Sequence, residues 1–213
     1  MKQYLNLRNV VKIGVTCLAA MTMFSGCKDK NAGNDEGTPT NGAFKVKSAV
    51  MTFKKVDSGV ETTETVMWDD YGKLYRIGDD ETATIIDEKA GKGYGLDHKN
   101  KTYIVLSEWL YSTVITGRNA WKFVDGTNMP AYQKLPNRTI ADKDCSVYST
   151  TSSGVTTIYG GWNEIQFLRE ESGVLEGTGI TVSESYTAIS YSETVPAGSF
   201  TVPSDYTFDD TTF

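Results

Sequence analysis

From Phe44 onward the chain repeats one pattern, a short run of alternating apolar and polar residues followed by a tight polar turn. In AFKVKSAVMTFKKV, Val46, Val50 and Thr52 fall on one side and Ala49, Met51 and Phe53 on the other, the period of a half-buried strand. Asp57-Ser58-Gly59 turns this run into VETTETVMW, Asp69-Asp70-Tyr71-Gly72 leads to KLYRIG, and Gly78-Asp79-Asp80 leads to TATIID. Glu88-Lys89-Ala90-Gly91 and His98-Lys99-Asn100 then introduce KGYGLD and KTYIVL. Turns this short join antiparallel neighbours, so the six strands are predicted to form a meander. The βαβ rhythm of a parallel sheet is absent.

One segment breaks the pattern. Leu106, Trp109, Leu110, Val114 and Ile115 recur at helical spacing, Ser107 is placed as an N-cap, and Glu108 complements the first turn. The spacing predicts a helix over 108–121. A loop with Pro130, Pro136 and the triplet Asn137-Arg138-Thr139 is expected next. Strand patterns then return in KDCSVYST, GVTTIYGGW, EIQFLRE, GTGITVSESYTAISYSE and SFTVPSDYTF. The expected architecture is mostly β: one curved antiparallel sheet of roughly ten strands, an incomplete barrel with the helix on its concave face, since open sheets that large curl.

The N-terminal residues are of another kind. Lys2, Arg8 and Lys12 precede an apolar run, IGVTCLAAMTMF, that ends at Ser25-Gly26-Cys27. A basic head, a short apolar middle and small residues before a cut describe a secretory signal, too short for comfortable spanning. The cysteine after Ser25-Gly26 resembles the bacterial lipobox, with Phe24 where Leu is usual. That resemblance implies cleavage after residue 26 and lipidation of Cys27, with several acyl chains giving a stable tether. Lys28, in place of Asp, resembles an outer-membrane sorting signal and leaves the leaflet open. Residues 27–43 then read as the lipidated cysteine and a polar tether, and residues 44–213 as the folded domain.

With Cys17 removed and Cys27 lipidated, Cys145 is the one free thiol, which excludes an internal disulfide. Formal net charge is −6, and loss of three cations with residues 1–26 deepens it. So acidic a chain, with no basic cluster, is a poor match to nucleic acid or to anionic lipid through charge.

The second half carries Asp144-Cys145-Ser146-Val147-Tyr148, then Gly161-Trp162-Asn163 and Ile165-Gln166-Phe167-Leu168, and closes with Val195-Pro196 through Pro203-Ser204-Asp205-Tyr206. That ending resembles uncharacterised periplasmic and lipoprotein domains related to the LolA and LolB lipoprotein carriers, and WDDYGKLYRIG with the hairpins after it is similar to theirs. The resemblance covers roughly residues 44–208. It implies an incomplete β-barrel with a helical lid enclosing acyl chains, and it places Arg76 where a carrier-like arginine sits.

Little catalytic chemistry is legible. His98, the only histidine, falls at a hairpin tip and reads as a solvated turn residue; a zinc site or a His-based triad would have to use it alone. Cys145 lies in an alternating strand and reads as an inert core thiol. Asp69-Asp70, Asp79-Asp80-Glu81 and Asp87-Glu88 fall at turns, where Asp bonds the local backbone. No catalytic residue, metal site or cofactor is expected. Trp109, Leu110, Val114 and Ile115, with Arg76, are expected to line a hollow that accepts lipid or another apolar ligand. The same apolar residues would equally serve to plug it. The leading expectation is therefore a non-enzymatic lipoprotein of the outer membrane. The alternative is a structural or interaction module that holds an envelope protein partner through its surface.

Overall fold

The computed structural model describes residues 42–210. The proposed signal, Cys27 and almost all of the tether lie outside the described residues.

Six strands follow one another as a meander: β1 (Ala49–Asp57), β2 (Val60–Asp69), β3 (Leu74–Gly78), β4 (Thr82–Asp87), β5 (Lys92–Asp97) and β6 (Thr102–Val105). Helix α1 (Glu108–Arg118) continues as a 3-10 turn to Trp121. The chain then forms β7 (Gln133–Ile140), β8 (Lys143–Ser152), β9 (Val155–Trp162), β10 (Ile165–Val174) and β11 (Thr181–Ser192), and ends on β12 (Thr207–Phe208). All twelve join one sheet in the order β12-β6-β5-β4-β3-β2-β1-β11-β10-β9-β8-β7. The sheet is large, curved and unclosed. Every strand pair is antiparallel except β12 with β6.

Two-residue turns fix the hairpin registers. Ser58-Gly59 and Ser153-Gly154 both have positive φ at each centre, the hand that matches strand twist. Register shifts interrupt β1/β11 at Thr52/Phe53, β10/β9 at Gln166/Leu168 and β7/β8 at Leu135/Arg138, and such bulges bend the strands they interrupt.

Two sequence expectations are corrected. The segment with Pro136 and Asn137-Arg138-Thr139 is not a loop but the edge strand β7, and the register shift sits at the proline. An edge tolerates Pro because one side of it needs no ladder partner. SFTVPSDYTF, read as a strand, pairs only at Thr207–Phe208.

In the β1–β6 meander the main core lies on one face of the sheet, here the inner face, whereas in β8–β10 Val147 and Leu168, both opposite Gly160, are buried on the other. Directly opposed residues share a face, and two rows cross the meander on the inner face. Ala49, Trp68, Tyr75, Ile86 and Gly93 form one, and Met51, Val66, Ile77, Thr84, Gly95 and Ile104 the other. Each of these that carries a side chain is under one-tenth exposed. α1 packs on this face. Gly93 makes room for it, because a Cβ there would meet Leu106, Ile86 and Tyr111. Ser107 Oγ caps the helix by accepting from Leu110 N–H at 3.4 Å, and Leu110, Tyr111, Val114 and Ile115 rest against the core. At the helix end, buried Arg118 donates to the Gly72 carbonyl and pairs with Glu88. Those bonds tie α1 to the turns flanking β3 and β4.

The opposite, outer face of β4–β6 carries a second cluster of Ala83, Ile85 and Leu96. It is covered by Phe200, Val202 and Tyr206 from the strap between β11 and β12. The centre of β4, from Ala83 to Ile86, is therefore buried on both faces. Among the described residues, no helix is long and apolar enough to cross a membrane.

Candidate functional site

Beyond α1 the inner face changes character. The parity that buries Ala49, Met51 and Phe53 on β1 continues to Lys55, and the parity of Trp68 and Val66 on β2 continues to Glu64. Lys55 starts a row of directly opposed residues that crosses six strands: Lys55, Tyr186, Arg169, Tyr159, Tyr148 and Lys134. Three cations and three tyrosines thus share one row of the sheet over about 24 Å, five strand spacings, with Tyr159 and Tyr148 side by side in it. The neighbouring row holds Asp57, Glu184, Glu171 and Thr157.

The two rows neutralise each other. Lys55 Nζ lies 3.4 Å from Glu184, and Arg169 lies 2.7 Å from Glu171. The side chains of both pairs are less than one-fifth exposed. Burial works against the Arg169 charge, but the Glu171 carboxylate outweighs it and raises the Arg169 pKa. Lys55 Nζ also stands 5.1 Å over the Tyr186 ring, and Lys134 Nζ 4.4 Å over Tyr148, within cation–π range. Glu64, opposite Phe53, is pushed up to about 7 by burial, with Asp79 and Glu184 adding to the effect and Lys55 opposing it.

The segment after α1 roofs part of this floor. Trp121 packs on Phe53 at 4.5 Å and edge-on to Tyr186 at 6.0 Å. Among the described residues, its buried indole N–H has no acceptor. Phe123 lies over Gly161, where a Cβ would sit 2.0 Å from the Phe123 ring. Tyr148 donates to Asp125 at 2.6 Å, and bonds from Thr127 and Tyr148 hold Asp125 down to about 2. Where the row meets the β7 edge, Asp125, Thr127, Tyr132, Lys134, Ser146 and Tyr148 line an open cleft of about 420 Å³.

The inner face is thus a trough with an apolar half under the helix and a half of paired charges and tyrosine rings beyond it. Leu110, Val114 and Ile115 lie in the apolar half, each packed on the core while keeping part of its surface accessible. Trp109 does not join them. It is 68% exposed, one position round the helix from Leu110, and its apolar spacing in sequence concealed that turn. Arg76 is also misplaced by the sequence reading. Opposite Met67 and Ile85, it lies on the outer face and donates to the Ser199 carbonyl of the strap at 3.2 Å.

His98 is at a turn, as read, but it is not simply solvated: Nδ1 lies 2.7 Å from the Tyr206 hydroxyl and Nε2 3.5 Å from Arg76. Cys145 is fully buried, and burial pushes its thiol up to about 11. The acidic turn residues bond their own backbones. Asp79 Oδ1 accepts from Glu81 and Thr82, and Asp87 Oδ1 from Ala90.

Lys55, Glu64, Arg169, Glu171, Glu184 and Tyr186 escaped sequence reading. The signal was present as charged residues in phase with buried apolar ones on the same strand, as Lys55 is with Met51 and Phe53.

No protein-family model matches this chain, and no curated protein matches it. Among solved structures it is similar to MucB in complex with MucA(peri), at 11% identity and a TM-score of 0.43, over 76% of this chain and 57% of that one. It is also similar to MucB alone, at 8% identity and 0.42, over 76% of this chain and 58% of that one. A MucA/MucB complex of Pseudomonas aeruginosa gives 10% identity and 0.40, over 71% of this chain and 53% of that one. The chain spans little more than half the length of each of these structures.

Proposed function

We propose that this chain is a non-enzymatic lipoprotein, anchored to the outer membrane through lipidated Cys27, that holds an amphiphile in the inner-face trough. One observation carries the reading: the same face passes from an apolar floor beneath partly accessible Leu110, Val114 and Ile115 to the row Lys55–Tyr186–Arg169–Tyr159. An amphiphile has the same polarity gradient. Its apolar part would bury surface against α1, worth about 25 cal/mol per Å². Its polar end would meet side-by-side donors and acceptors, including the unpartnered Trp121 N–H. LolA-like carriers, which the sequence resembles, use an incomplete barrel with a helical lid in a related way.

The test is native mass spectrometry of the Cys27→Ser chain recovered from cells without detergent. Co-purifying lipid masses, lost in Leu110→Asp and kept in Trp109→Asp, support the proposal. A clean protein mass that membrane extract does not change overturns it.

A second reading, an envelope interaction module, is favoured by the β6/β12 edge. There Val105 is 44% and Phe208 56% exposed, and the Phe208 ring lies 5.5 Å from Tyr103. Loss of a cross-linked envelope partner in Phe208→Glu, with lipid content unchanged, would favour this alternative.

A further inference from the structure

The strap between β11 and β12 is tied to the sheet in part by His98 and its neighbour Arg76, each of which bonds to it. Its own turns use its backbone: Ser199 N–H bonds to Pro196, Thr201 N–H to Gly198, and Tyr206 N–H to Pro203. What crosses to the sheet is Ser48 Oγ to the Glu193 carbonyl, Arg76 to the Ser199 carbonyl, His98 to Tyr206, Lys101 to Asp205, and the short β12 ladder. Under these bonds lie Phe200, Val202 and Tyr206, packed on Ala83, Ile85 and Leu96.

The tautomer of His98 follows from its neighbours. A guanidinium only donates, so Nε2, 3.5 Å from Arg76 Nη2, has to be the bare nitrogen. Nδ1 then carries the proton toward Tyr206 Oη at 2.7 Å. Adding a proton to Nε2 would set N–H against N–H and one positive charge against another. Three carboxylates oppose that effect, Asp79 and Asp80 from the β3/β4 turn and Asp97 from β5. Asp79 is occupied by Glu81 and Thr82 N–H, and Asp97 by Asn100. On the strap, Asp205 is paired with Lys101 at 2.8 Å. Burial and Arg76 prevail, and the His98 pKa lies below its usual value.

We propose that Arg76, His98 and Tyr206 form an acid-sensitive latch that holds the C-terminal strap over the apolar outer face of β4–β6, and that protonation of His98 releases it. The opened strap would bare Ile85, Leu96, Tyr94 and Tyr103, a surface separate from the trough. Protonation replaces the bond accepted from Arg76 by repulsion, and the Ser199 anchor on that same guanidinium loosens with it.

The experiment is hydrogen exchange on the whole chain between about pH 7.5 and 5, the range in which histidine titrates, corrected for intrinsic exchange. Amides of Thr207 and Asp209, which donate to the Lys101 and Tyr103 carbonyls of the sheet, are expected to lose protection several-fold on acidification, while those of β1 and β2 keep theirs. As the only histidine, His98 gives a single imidazole NMR resonance, and the opening midpoint should coincide with its titration. His98→Gln, whose amide can still accept from Arg76 and donate to Tyr206, should keep the strap closed at both ends of the range. Strap protection that is independent of pH overturns the latch. So does an acid-induced opening that persists in His98→Gln, or one whose midpoint departs from the His98 titration. Arg76→Gln supplies a second check, because without the fixed charge the acid effect should shrink while the His98 resonance still titrates.

Discussion

Phe53 and Glu64 stand directly opposite each other on β1 and β2, an aromatic ring and a carboxylate on one face of the sheet. The pair marks the border where the apolar half of the trough ends. A carboxylate there is poorly hydrated, and its proton stays on until about pH 7.

Glu64 should therefore make the fold weaker as the solution becomes alkaline. Its folded pKa of about 7 exceeds the ordinary 4.5, so the folded chain binds more protons between those values, and stability falls as pH rises through that window. Glu64→Gln should match the parent near pH 4.5 and exceed it by about 1–3 kcal/mol at about pH 8. Urea unfolding at the two pH values measures the difference, and an equal offset at both would contradict the assignment.

Arg118 fixes the angle of α1 through Gly72 and Glu88. Arg118→Ala leaves a carboxylate and a carbonyl without their donor and should cost about 2–4 kcal/mol. Arg118→Lys should recover part of the loss, because both acceptors are served by the single nitrogen Nη1 and an ammonium also carries more than one donor. Denaturation midpoints of both variants decide the matter.

Gly161 is required by Phe123 rather than by its own backbone. A Cβ there would lie 2.0 and 2.4 Å from Phe123 Cγ and Cβ, atoms close to the main chain. Gly161→Ala should cost about 2–3 kcal/mol by overpacking and shift near-UV circular dichroism as Trp121 and Phe123 move. Gly95→Ala meets only Ile104 Cγ1 at 3.1 Å and other flexible atoms, so its cost should be smaller.

Cys145 should be silent in the native protein. With a thiol pKa of about 11 and no exposed surface, about one molecule in a thousand is thiolate at pH 8. A Cys27→Ser chain beginning at residue 27 should react with a disulfide reagent only once unfolded. Prompt native labelling at one equivalent would show the strand to be open.

Much of the β1–β6 meander was readable because its information is local. Asp57-Ser58-Gly59 can only reverse the chain tightly, and the alternation in AVMTF permits one buried face. β7 was not readable, because Pro136 argues against a strand unless it lies at an edge, and being an edge is a property of the whole sheet. The trough was half legible. Leu110, Val114 and Ile115 follow from helical spacing, whereas Trp109 has the same spacing and faces solvent.

The sequence by itself determined the antiparallel class, the helix with its Ser107 cap, and the buried Cys145. Each depends on residues near in sequence or on composition alone. Tertiary structure decided which cations meet which rings along Lys55–Tyr186–Arg169–Tyr159–Tyr148–Lys134, because that row joins strands 131 positions apart at Lys55 and Tyr186. It also decided that Arg76 and His98 serve the outer face and its strap. A period of two names two faces but does not say which one the chain's later segments will cover, and that choice rests on pairing energies summed over the whole sheet.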